Sequence, residues 1–163
     1  MKINRFFLFL IFSFLFGGCA SYTPPKSKEI KRSDLVPISY DKAWNDTVEF
    51  LALRNLTIDK IEKESGLING SATLSDVSEY LDCGKITGGG ENRYDNAGFR
   101  ISVILREKNE NNTNVMVTVV GAANISAFSW GATIATNYEK RVSTSCHSTG
   151  VIEEDLFSYL NNK

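Results

Sequence analysis

Phe99-Arg100-Ile101-Ser102-Val103-Ile104-Leu105-Arg106 and, beyond a polar link, Val115-Met116-Val117-Thr118-Val119 decide how this chain folds. In the first stretch Phe99, Ile101, Val103 and Leu105 alternate with Arg100, Ser102 and Arg106. In the second, Val115, Val117 and Val119 repeat the period of two. Side chains two apart on an extended chain share a face, so each stretch offers one face to a core and one to water. The link, Glu107 to Asn114, is polar throughout. The two stretches therefore read as an antiparallel hairpin with a solvated tip.

Upstream the period changes. Ser39 is placed to cap a helix starting at Tyr40, with Asp41 in the first turn where a negative charge suits the helix dipole. Tyr40, Trp44, Val48 and Leu51 recur at helical spacing, and Asn55 is a stop residue. Leu56 to Ile61 and Leu67 to Leu74 have strand character around a turn at Glu64-Ser65-Gly66. Residues 75–97 hold no sustained period and contain Gly88-Gly89-Gly90, so they read as a long loop anchored at Cys83. Downstream, Phe128, Trp130, Ile134 and Tyr138 keep even parity, as in a further strand bent at Gly131. The chain closes on a helix with Glu153, Glu154 and Asp155 in its first turn and Ile152, Leu156, Tyr159 and Leu160 as its apolar stripe. This order predicts an α+β fold: a two-layer sandwich in which an antiparallel sheet of about five strands carries two helices on one face.

The beginning of the chain speaks of location. Lys2 and Arg5 precede a run, residues 6–16, that is nearly all Phe, Leu or Ile, and Phe16-Gly17-Gly18-Cys19 follows. A basic start, an apolar stretch and small residues before a cysteine are the parts of a bacterial lipoprotein signal. The run is too short for a membrane-crossing helix, which needs about 20 apolar residues. Residues 1–18 are thus expected to be removed as a signal peptide, leaving Cys19 acylated. Several acyl chains, at about 0.8 kcal/mol for each buried methylene, hold a protein on a bilayer almost permanently. Residues 19–37, with Pro24, Pro25, Pro37 and a mixed-charge run, read as a flexible tether. Residues 38–163 then form one domain in the periplasm.

Removal of Lys2 and Arg5 leaves 16 basic against 19 acidic side chains, a formal charge of −3. A binder of nucleic acid needs a concentrated positive field, so nucleic acid is not an expected partner. The two remaining cysteines, Cys83 and Cys146, lie in a chain expected to reach an oxidising compartment, and one disulfide is the economical reading. Two cysteines and the single histidine, His147, fall short of a tetrahedral metal set. No cofactor is expected.

Two groups of residues carry a resemblance. Ile38-Ser39-Tyr40-Asp41-Lys42-Ala43-Trp44 with Thr57 to Ile68 resembles the helix and hairpin of small proteobacterial envelope lipoproteins, distantly the BamC-like group. Tyr80-Leu81-Asp82-Cys83-Gly84 with Ser145 to Glu153 is similar to a paired-cysteine signature in that broad group. The resemblance implies the fold and an envelope location, and it carries over no functional residue. With Ala20 after Cys19, the likeness to enterobacterial-type sorting implies the outer membrane, facing the periplasm.

Catalysis finds no foothold in the sequence. His147 adjoins Cys146, but neighbours on a strand point to opposite faces, and a cysteine in a disulfide has no thiolate. Gly88-Gly89-Gly90 lacks the lysine and hydroxyl that follow in a P-loop. Phe128 and Trp130, among small residues, are the candidate partner-binding side chains, because aromatics on thin edges anchor interfaces. The chain is accordingly expected to be a non-enzymatic, membrane-anchored lipoprotein that binds another envelope protein. The alternative is a carrier of a small hydrophobic ligand or lipid, which would need a hollow between sheet and helices.

Overall fold

The computed structural model describes residues 20–88, 90–129 and 138–163. The elements, in order, are β1 (Ser21–Thr23), β2 (Ser33–Val36), α1 (Tyr40–Leu53), β3 (Thr57–Glu62), β4 (Leu67–Thr73), β5 (Leu81–Asp82), β6 (Lys85–Thr87), β7 (Asn92–Asn109), β8 (Asn112–Ser129), β9 (Tyr138–Ser148) and α2 (Val151–Asn161). The expected signal peptide, residues 1–18, and Cys19 lie outside the described residues.

The hairpin expected from the alternating stretches is present and longer than its apolar period. β7 and β8 pair antiparallel from Asn92 opposite Ala127 to Asn109 opposite Asn112. Ile101, Val103, Leu105, Val115, Val117 and Val119 are all buried on one face. The added lengths, such as Asn92 to Ala97, carry no clean alternation because a backbone ladder needs none. A register shift between Asp95 and Gly98, with Asn96 at a left-handed φ of 51°, realigns the strands there.

The sheet has seven strands rather than about five. Its order is β3-β4-β7-β8-β9-β5, and β2 also pairs with β8. β2 lies against Thr113 to Met116 and β9 against Gly121 to Ser129, so the two share the outer edge of β8 end to end. Tyr138 opposes Ser129, which separates Phe128 and Tyr138 into two strands of a hairpin instead of one bent strand.

The first helix ends as its sequence suggests. Asn55 takes a φ of 54°, Leu56 N–H donates to the Leu51 carbonyl and Asn55 N–H to that of Ala52, each at 3.0 Å. This is the paired-bond C-terminal motif that a left-handed residue permits. At the start, Ser39 occupies the cap position without a side-chain cap bond. α2 begins differently: Gly150, at φ 92°, is the cap. Its N–H donates to Ser148 Oγ at 3.1 Å, and that hydroxyl donates to the buried Glu153 carboxylate at 2.8 Å. The helices meet through an Arg54–Asp155 ion pair at 2.6 Å and the Phe50 and Tyr159 rings, 5.5 Å between centroids.

The second layer is only half helical, which corrects the simple two-layer sandwich. α1 and α2 cover one end of the apolar face with Phe50, Leu51, Ile152, Leu156 and Leu160. Over the other end, β1 and β6 form a two-stranded sheet of their own. Tyr22 donates to the Cys83 carbonyl at 2.9 Å and lies 2.8 Å from Thr144 Oγ1, and Tyr94 donates to the Gly84 carbonyl at 2.9 Å. Ile86 is buried there in the same core as Ile125 and Ala127.

The tether reading of residues 19–37 is also corrected. From Ala20 onward the chain runs along the body as a strap that begins in β1 and ends in β2. Lys26 N–H donates to Asp82, Ile30 lies over Gly150, and Val117 N–H donates to the Arg32 carbonyl at 2.9 Å. The composition resembles a linker because a strand laid along an edge is held by its backbone and a few side chains, of which Val36 is fully buried.

Asp34 fastens the strap to α2. Burial pushes its carboxyl up, but hydrogen bonds from Lys31 and Asn161, the Lys31 charge and the Leu35 N–H outweigh burial and hold it below the ordinary carboxylate range. A depressed folded-state value stabilises the protein above the unfolded carboxylate pKa and is lost as pH falls through the folded one. Denaturant unfolding should therefore show wild type more stable than Asp34→Asn at pH 7, with the gap closing at pH 3. A pH-independent gap would mean that the carboxylate charge contributes nothing.

Candidate functional site

Cys83 and Cys146 are joined by a disulfide, with 4.1 Å between their Cα atoms and 63 residues of separation. Both are buried. Cys146 stands on β9 opposite Gly121 of β8. Gly121 leaves room for Leu81, whose Cδ1 would lie 2.5 Å from any Cβ there. β5, pairing Leu81 and Asp82 with Ser148 and His147, completes the junction. The segment read as a loop, residues 75–97, thus contains β5 on the main sheet, β6 paired with β1, and the first residues of β7. The bond removes the Cys146 sulfur from nucleophilic chemistry, and His147 is exposed one position along β9.

Among the described residues no helix lies on the far face of the sheet. Directly opposed residues of antiparallel strands share a face, and the register puts Leu67, Ile104 and Met116 in one row with Ser33. Asn69, Ser102 and Thr118 form the next, then Ser71, Arg100 and Val120, then Thr73, Gly98 and Ala122 with Ser145. Val120 is 58% exposed, Leu35 52% and Met116 42%. These are large apolar side chains on the side that faces water. Arg100 is the charged member of these rows on β4, β7 and β8, and it makes no ion pair among the described residues; on β3 the first two rows continue to Glu62 and Lys60, which pair with each other at 3.0 Å.

The outermost strands of the sheet discourage strand addition. β3 is an almost fully exposed outer strand bearing Asp59, Lys60 and Glu62, with a register shift between Ile58 and Lys60. β5, at the other end, has two residues. Charges, irregularity and brevity each block the addition of a foreign strand.

A polar cleft of about 480 Å³ lies farther along the same sheet between Asp95, Asn124, Arg141 and Ser143. Its groups satisfy one another: Ser143 Oγ donates to Asn124 at 2.7 Å, and Arg93 pairs with Asp95 at 3.1 Å. Among the described residues no group of three His, Cys, Asp or Glu could hold a metal ion, and no helix is long and apolar enough to cross a membrane.

Of the residues singled out from the sequence, the structure brings Cys83 and Cys146 together. Phe128 lies on β8 opposite Glu139, with its side chain outside the described residues, as are Trp130 and Cys19. Sequence reasoning missed the Met116–Val120 face. Its signal was present: Ile104, Met116 and Val120 fill the positions where a half-solvated strand ordinarily places polar residues. No protein-family model, curated protein or solved structure matches this chain.

Proposed function

We propose that this chain is a non-enzymatic lipoprotein, anchored through Cys19 to the outer membrane on its periplasmic side, that binds another envelope protein with its open sheet face. The observation that carries the binding step is the exposed apolar side chains of Met116 and Val120, set among polar residues with Arg100 opposite Val120 and the Lys60–Glu62 ion pair at the β3 border. The basic-apolar-small residue order before Cys19 supports the anchor, and the buried disulfide suits an oxidising compartment. Confinement to a membrane raises the effective concentration of a partner, so a modest patch is enough for occupancy. The lipid-carrier alternative is weaker, because Ile101, Leu105, Val115, Ile152, Leu156 and Leu160 fill the space between sheet and helices.

A photo-reactive residue at Val120 or Met116 should give a discrete protein adduct in intact cells, whereas one at Ser158 on α2 should not. Val120→Glu should abolish the Met116 adduct without lowering the melting temperature by more than about 2 °C. Adducts confined to positions 128 and 130 would move the surface to the β8–β9 connection. Equal labelling at Val120 and Ser158 would end the sheet-face reading.

A further inference from the structure

We infer that the end of the body formed by β1, β6 and the paired ends of β8 and β9 faces the bilayer, with phospholipid headgroups as its partner. This rests on the anchoring of Cys19 proposed above and adds an orientation to it. The decisive feature is the lack of slack. Ala20, which adjoins Cys19, is partly buried, and its carbonyl accepts a hydrogen bond from Lys140 Nζ at 2.8 Å. The next residue, Ser21, already pairs with Thr87, and its hydroxyl lies 3.2 Å from that of Thr87.

Consecutive Cα atoms are about 3.8 Å apart, so an acyl group on Cys19 starts within a residue's length of this end. A flexible chain of 18 residues would instead have wandered by roughly 24 Å. Lys140 also puts an ammonium beside the anchoring residue, the charge that a headgroup phosphate takes. At about 3.3 Å per residue, the 18 residues of β7 reach roughly 55 Å. The β7–β8 turn around Asn111 is thereby held far from the anchored end, and the open face of the sheet runs between them. The body stands on its anchor with that face turned sideways, toward a neighbour on the same membrane.

The test uses the full chain, produced in cells, purified in detergent and reconstituted into vesicles containing brominated phosphatidylethanolamine. A fluorescent amino acid replaces Glu91 at the anchored end in one sample and Asn111 in the other; both positions are exposed. Strong quenching at position 91 and little at 111 is expected. Equal quenching at both, or none at either, on protein whose Cys19 is acylated by mass spectrometry would overturn the orientation and leave the lipoprotein reading intact. An unacylated Cys19 in the same preparation would remove that reading, and the orientation with it.

Discussion

Replacing Cys83 and Cys146 together by Ser is expected to lower the melting temperature by roughly 10 °C. The bond closes a 63-residue loop, for which the chain-entropy relation gives about 4 kcal/mol, a large part of the stability of a domain this size. The double replacement avoids the free thiol that either single variant would leave. Its effect should be graded along the molecule. β5, β6 and β1 are held to the sheet by the bond, a two-residue pairing and a few side-chain hydrogen bonds, whereas β4, β7 and β8 are joined to one another by long ladders. Amide exchange should accelerate first at Thr23 and Lys85, opposed on β1 and β6, then at the rest. Equal melting of the oxidised wild type and the double variant would show that the bond adds nothing to the fold.

The sequence was informative where burial imposes a period and silent where the backbone alone holds a strand. Phe99 to Leu105 and Val115 to Val119 announce themselves because every second side chain is in the core. Asn92 to Ala97, Ser33 to Val36 and Ser21 to Thr23 do not, for they are short, at an edge, or beyond the reach of the helices. The same limit applied to the candidate site. The disulfide followed from compartment and parity of the cysteine count. The exposed patch was harder to see, because the apolar residues at Met116 and Val120 gain weight only once the register shows that, among the described residues, no layer covers them. Phe128 and Trp130 drew attention as aromatics among small residues, and their side chains lie outside the described residues.

Gly84→Ala should detach the strap while leaving the main core folded. Gly84 has a φ of 72°, a left-handed conformation that costs another residue about 1–3 kcal/mol. A Cβ there would come 2.3 Å from the Thr23 carbonyl oxygen and 3.0 Å from the backbone of Pro24 and Pro25. Backbone cannot yield as a flexible side chain would, so the strap has to move. Gly84 is meanwhile held from both sides, its N–H donating to Asp82 at 2.9 Å and its carbonyl accepting from Tyr94 at 2.9 Å. The cheaper adjustment is to release β1 from β6. Amide exchange at Thr23 and Lys85, the pair that flanks Gly84 on β1 and β6, should therefore rise by at least tenfold, with Val103 changed far less. On vesicles, the same variant should blur the quenching contrast between positions 91 and 111, because Ala20 to Pro25 would then act as the loose linker their composition suggests. Unchanged protection at Thr23 would mean that Thr23 does not lie on Gly84 in solution, and the proposed fixed stance of the body on its anchor would lose its basis.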